Sequence, residues 1–209
     1  NGSVWSALAT GLNNTASVLK FSGDGRLYIG GGFTNADGAN GDYLCYWDGT
    51  SYNAIGNVEL NGNVDDIIFR SNGDLVIGGN FTNAGGDSSA DKIAILIGEM
   101  WAGLGGGLGE GAGRAWNLVE NNNKIFASGS ISTAGGITLP DYVAVWKNGA
   151  WGFINIDFDG TNVVRTIMWD RQGNMYVSGD FNTTAVANAT TPIVIDNSIG
   201  IHPTIRIIG

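Results

Sequence analysis

Short apolar stretches recur along this chain, each interrupted by a few residues of Asn, Asp, Gly or Ser before the next begins. Four stand in register: Ser17 to Phe21, Asp65 to Phe69, Ala115 to Val119 and Arg165 to Trp169. Their length and the absence of a 3.6-residue period read as strands. A turn follows each: Ser22-Gly23-Asp24-Gly25, Ser71-Asn72-Gly73-Asp74, Asn121-Asn122-Asn123-Lys124 and Arg171-Gln172-Gly173-Asn174. Asn, Asp and Gly tolerate the positive φ that tight hairpins need. Second strands come next at Leu27-Tyr28-Ile29, Leu75-Val76-Ile77, Ile125-Phe126-Ala127 and Met175-Tyr176-Val177. Third strands are read at Tyr43 to Trp47, Lys92 to Leu96, Tyr142 to Trp146 and Ile193 to Ile195, and fourth strands near Tyr52, Trp101 and Trp151.

The pattern is a repeat. Phe33, Phe81, Ile131 and Phe181 lie 48, 50 and 50 residues apart, a period at which each copy is one supersecondary unit. Two copies are nearly identical, Gly31-Gly32-Phe33-Thr34-Asn35-Ala36-Asp37-Gly38 and Gly79-Asn80-Phe81-Thr82-Asn83-Ala84-Gly85-Gly86. Weaker copies begin at Gly129 and Gly179. The Gly31, Gly79, Gly129, Gly179 column marks a place where backbone approaches backbone, and the phenylalanine column is expected to plug the space between sheets. Four antiparallel strands per unit of about 50 residues predict an all-β fold, a β-propeller of four four-stranded blades. A β-sandwich and an open β-solenoid are the rival arrangements.

Trp5-Ser6-Ala7-Leu8 aligns with Tyr52-Asn53-Ala54-Ile55 and Trp101-Ala102-Gly103-Leu104, so the chain opens on a fourth strand. The last copy loses its aromatic turn to Asp196-Asn197-Ser198-Ile199-Gly200. The expectation is that Val4 to Leu8 completes the blade of residues 163–196 and closes the ring, removing exposed edges. The propeller then spans 1–196, and 197–209 is an exit strand or the start of a further β-domain, with Pro203 at a strand start. A chain that opens on Asn rather than Met is expected to be processed or part of a larger chain or oligomer.

The string Gly-Gly-x-Phe-Thr-Asn-Ala-x-Gly, followed by a strand and Trp47-Asp48-Gly49-Thr50, resembles the propeller repeats of phage tail or virion proteins and bacterial surface proteins. It is distantly similar to kelch repeats, although Tyr43 and Trp47 stand closer together than the kelch pattern has them. The tail from Asn197 through Thr204-Ile205-Arg206-Ile207 is similar to segments of phage tail proteins that lead into a small β-domain. The resemblance implies a virion, extracellular or cell-surface location, with other proteins of that assembly or a host glycan as partners.

Asp and Glu outnumber Lys and Arg by 19 to 10, without a basic cluster, which argues against nucleic acid as a partner. No apolar run reaches the roughly 18 residues of a membrane helix, so no membrane insertion is expected. Cys45 is the single cysteine and reads as a small buried apolar residue. His202 is the single histidine, so a multi-histidine metal site or a Ser-His-Asp triad lacks parts. No regular calcium loop is present. No cofactor, metal site or catalytic residue is therefore assigned. Sequons at Asn1, Asn13, Asn80, Asn182 and Asn188 matter only in a eukaryotic secretory setting.

Candidate chemistry lies where the copies disagree. Asp65-Asp66 interrupts a first strand where the others carry Ser17-Val18, Ala115-Trp116 and Arg165-Thr166. First strands line a propeller's axis, so Asp65, Asp66, Arg114, Trp116 and Arg165 form the candidate binding set. The alternative for the same residues is a solvated channel with a charge pair. The tryptophans at 5, 101 and 151 share one column with Tyr52, which points to packing between units. The function expected is a non-enzymatic structural or adhesion module. The alternative is a carbohydrate-binding or glycan-cleaving propeller, since two carboxylates flanking a cleft suffice for glycoside hydrolysis.

Overall fold

The computed structural model describes residues 4–38, 41–56, 60–109, 113–154, 158–183, 193–196 and 204–207. Their regular structure is antiparallel β-sheet, apart from one turn of 3-10 helix at Ala84–Gly86. The first sheet holds β1 (Ala16–Phe21), β2 (Leu27–Gly31), β3 (Leu44–Trp47) and β4 (Tyr52–Ala54). The second holds β5 (Val64–Phe69), β6 (Leu75–Gly79), β7 (Ile93–Ile97) and β8 (Met100–Gly103). In the third, β9 (Ala115–Asn121) and β10 (Lys124–Gly129) precede a two-stranded hairpin, β11 (Thr133–Ala134) and β12 (Ile137–Thr138), before β13 (Val143–Lys147) and β14 (Ala150–Phe153) complete the sheet. The fourth comprises β15 (Phe158–Trp169), β16 (Met175–Thr183), β17 (Ile193–Asp196) and β18 (Thr204–Ile207). Each four-stranded sheet is an antiparallel meander, with the β11–β12 hairpin inserted between β10 and β13 of the third.

The glycine column is a steric necessity. A Cβ on Gly31 would stand 2.1 Å from the Thr15 carbonyl oxygen. The matching distances are 1.9 Å to Asn63 for Gly79, 2.0 Å to Arg114 for Gly129 and 2.0 Å to Val163 for Gly179. In every copy the backbone of the second strand is pressed against that of the first at this glycine, and only glycine fits. The ladder is bulged at this point: pairing skips Ser17, Asp65, Trp116 and Arg165 in turn.

Those bulges correct the register expected for the third copy. Gly30, Gly78, Ser128 and Ser178 pair with Val18, Asp66, Asn117 and Thr166. Asn117, not Trp116, is thus the counterpart of Asp66. The β9–β10 turn is the two residues Asn122 and Asn123, both left-handed at φ 51° and 59°, and the strand extends to Asn121 to meet it. Three of the four third strands begin one residue later than expected, while β17 begins at Ile193 as read. Tyr43, Lys92 and Tyr142 stand at φ 65°, 61° and 58°, and the first two donate their N–H to the Phe33 and Phe81 carbonyls at 2.8 and 2.9 Å. A left-handed residue leaves the strand, so β3, β7 and β13 start after it.

The sheets stack through their first strands: β1 lies against β5, β5 against β9 and β9 against β15. One face of β5 and of β9 meets the preceding sheet and the other meets the following one. Val18, Tyr28 and Leu44 pack with Ile67, Phe69 and Phe81; Ile68 and Val76 pack with Leu118 and Ile125; Phe126 and Val143 pack with Ile167 and Trp169. Tyr28 meets Phe69 edge-on at 4.9 Å, and Phe126 meets Trp169 at 4.3 Å. Phe33, Phe81 and Ile131 are fully buried, as the plug column requires. Each such side chain contributes about 1.5–3 kcal/mol of burial free energy. The side chain of Phe181, and residues His202 and Pro203, lie outside the described residues.

Val4 to Leu8 does not complete the fourth sheet. That outer place belongs to β18, which pairs Ile193 with Ile207 and Asp196 with Thr204. Val4 to Leu8 forms no strand, and Trp5 is fully exposed. The segment that follows is fastened to the first sheet instead. Leu8 accepts from the Tyr52 hydroxyl at 3.3 Å, Leu12 bridges Ala36, and Asn13 Oδ1 accepts from the Thr34 and Asn35 amides at 2.9 and 3.0 Å. Asn61 repeats the last contact, its Oδ1 accepting from Thr82 N at 2.8 Å. The Thr of the repeated motif is thus a clip for the connecting segment. Among the described residues no comparable packing returns β15 to β1.

Candidate functional site

Asp65, Trp116 and Arg165 are all bulge residues, on three consecutive first strands. A bulged residue is freed from the ladder, so its side chain can be re-aimed across the edge of the sheet. Arg114, just before β9, reaches back to Asp65: its Nε donates to Oδ2 at 2.8 Å and its Nη2 to Oδ1. The pair is bidentate, and the Asp65 side chain is nearly buried while that of Arg114 is one third exposed. The carboxylate beside it raises the Arg114 guanidinium further above its ordinary value. Arg165 lies over the Trp116 ring, Cζ to centroid 5.1 Å, and its Nε donates to Asp180 on β16 at 3.0 Å. Both Arg165 and Asp180 are largely exposed.

Asp66 works differently. Its Oδ2 accepts from the Leu118 amide at 2.7 Å and from Asn117 Nδ2 at 3.1 Å, while Oδ1 accepts from the Ile67 amide at 2.8 Å. Burial pushes its carboxyl above the usual carboxylate range, opposed by these hydrogen bonds and by the Lys20 charge. Asn117, one sheet on, does the same work with an amide: its Oδ1 accepts from the Ile167 amide at 2.8 Å. The column Asp66, Asn117 is a polar stitch between successive sheets.

The five candidates therefore occupy one set of neighbouring strands but do not converge on a common point. Arg114 with Asp65, and Arg165 with Trp116, form two contacts that run from sheet to sheet, and Asp66 is spent on the third sheet. Asp65 is clamped by a guanidinium and Asp66 is saturated by three donors, so neither stands free as a nucleophile or a base. Among the described residues no three His, Cys, Asp or Glu side chains gather as metal ligands. Among the described residues no helix is long and apolar enough to cross a membrane. Cys45 is buried, and burial pushes its thiol up to about 12, which keeps it protonated and inert.

The aromatic column is an interlock between units. Trp151 donates Nε1 to the Leu104 carbonyl, in the segment that leaves the second sheet, at 2.6 Å. Trp101 lies beneath Gly56, whose added Cβ would stand 2.8 Å from its Nε1. Sequence reading missed Lys92, which is buried in the place held by Tyr43 and Tyr142 and donates Nζ to the Gly109 carbonyl at 3.0 Å. Its signal was a lysine in a tyrosine column.

Residues 6–91 match the family model of the Rax2 C-terminal beta propeller domain. The chain is thus an all-β protein of antiparallel sheets with propeller character, the family match covering the first sheet and strands β5 and β6 of the second. No curated protein and no solved structure matches it.

Proposed function

We propose that this chain is a non-enzymatic propeller module, its four sheets acting as blades, that serves as a scaffold or adhesion element in a virion tail or fibre or a cell-surface assembly. It meets protein or glycan partners through its loops. The observation that carries this reading is the use to which the variable polar residues are put. Asp65, Asp66 and Arg114 bind one another's sheets together and leave no free carboxylate pair at the positions where the repeat departs from itself. Fold alone does not assign the role, since propellers host many functions. The test pairs a screen of immobilised glycans and candidate surface proteins with an assay for glycan cleavage. Binding that survives Asp66→Asn, with no release of reducing ends, is expected. Hydrolysis abolished by one carboxylate substitution would replace this reading with the glycan-cleaving alternative.

A further inference from the structure

We propose that the exposed face of β1 docks a further unit of this same repeat, one whose outer strand is Val4 to Leu8. The proposal rests on the stacking of the sheets and is independent of the adhesive role. At each internal junction one residue of the first strand is driven into the preceding sheet: Ile67, Leu118 and Ile167 are 0%, 2% and 1% exposed. Leu19 holds the same place, opposite Ile29 as Ile67 is opposite Ile77, yet is 60% exposed. Two residues on, Phe21 is 70% exposed where Phe69 packs edge-on against Tyr28. This apolar face continues the column that forms every established junction, and it has no sheet before it.

Val4 to Leu8 shows the complementary deficit. Trp5 belongs to the column of Tyr52, Trp101 and Trp151, all of which are buried, but is 101% exposed. Three strands of one further unit would pair with Val4 to Leu8 and cover Leu19 and Phe21 together. The fourth sheet of this chain answers less well. Its outward face, with Thr166 and Met168, is exposed, but its outer edge is already held by β18 and leaves Trp5 without a sheet. A second copy brings the same completed fourth sheet and the same mismatch.

The test adds a duplicate of residues 113–150 directly ahead of Trp5, so that Trp5 follows the duplicated Ala150 as Trp151 follows it in the third sheet. The component of the emission spectrum removed by Trp5→Phe should move to shorter wavelength, and the melting temperature should rise. Both gains should vanish with Leu19→Asp/Phe21→Asp. In the 209-residue chain that double substitution should leave the melting temperature and a monomeric sedimentation coefficient unchanged. An unshifted Trp5 emission in the extended chain overturns the proposal. So does a 209-residue chain that the double substitution unfolds or splits from a dimer into monomers, because its face is then covered by its own fourth sheet or by a second copy.

Discussion

Ile67 and Leu19 are the same residue of the repeat in two settings. Both follow the bulge, both sit opposite an isoleucine of the second strand, and both precede an aromatic position by two residues. Ile67 is enclosed by Val18, Tyr28 and Leu44 of the first sheet, whereas Leu19 meets solvent. The apolar character of the column is therefore not specified by the sheet that carries it. It is specified by the neighbour, so stability in this architecture resides in junctions between units.

The contact most able to break that arrangement is the backbone approach inside each sheet, on which every junction depends. Gly79→Val would drive a side chain into the Asn63 carbonyl, 1.9 Å from the added Cβ. Separating β5 from β6 at the bulge also displaces Asp65 and Asp66 from the third sheet. A loss of about 4 kcal/mol or more is expected, in the range where a domain of ordinary stability unfolds. Circular dichroism melts read it. A transition within a degree of the parent would show that the approach is relaxed in solution.

Next in size is the junction itself. Ile67→Ala removes a fully buried side chain between the first and second sheets and should cost about 2–5 kcal/mol. Leu19→Ala, the same truncation at the open face, should stay within about 0.5 kcal/mol. Urea denaturation of the pair measures the difference directly. Equal losses would mean that Leu19 is covered in solution and that the contrast between the two sheets is false.

How much of this was legible in the chain follows from the same distinction. The period, the hairpins, the glycine column and the buried plug residues were readable because each is enforced inside every copy by turn geometry or backbone contact. Asn122-Asn123 shortened one turn and slid the third strand by a residue, which an ungapped alignment on Gly129 does not reveal. Tyr43, Lys92 and Tyr142 carry no signature of a left-handed backbone, since Tyr and Lys adopt it only under tertiary constraint. The place of β18 was hidden because Thr204 to Ile207 matches no repeat column and is held there by main-chain pairing. The candidate site was half legible. Disagreement between copies located Asp65, Asp66, Arg114, Trp116 and Arg165, but not that the bulge spends them on neighbouring sheets.

The smallest effect sharpens the comparison between the second junction and the third, where Asp66 and Asn117 perform one task with a charged and a neutral group. Asp66→Asn keeps an oxygen for Leu118 N and Asn117 Nδ2, loses the acceptor facing Ile67 N, and removes a buried charge. These opposing changes should leave stability within about 1 kcal/mol of the parent at neutral pH. The pH dependence carries the information. The folded-state pKa of Asp66 is raised above its ordinary 3.8, so the folded protein takes up this proton before the unfolded chain does. Asp66 therefore favours folding more as pH falls from that raised value to 3.8, and less as pH rises through it. The Asn variant lacks this response, so its stability relative to the parent should decline on acidification across the same window. Carboxylates held low by hydrogen bonds, such as Asp87 bonded by Ser89 and Gly103, pull the other way but act equally in both proteins and cancel in the difference. Melting temperatures of the two proteins along a pH series measure that difference. One that grows in favour of the variant as pH falls would show that Asp66 is stabilised as a carboxylate by its three donors, and that the charge, not the shape, makes the stitch.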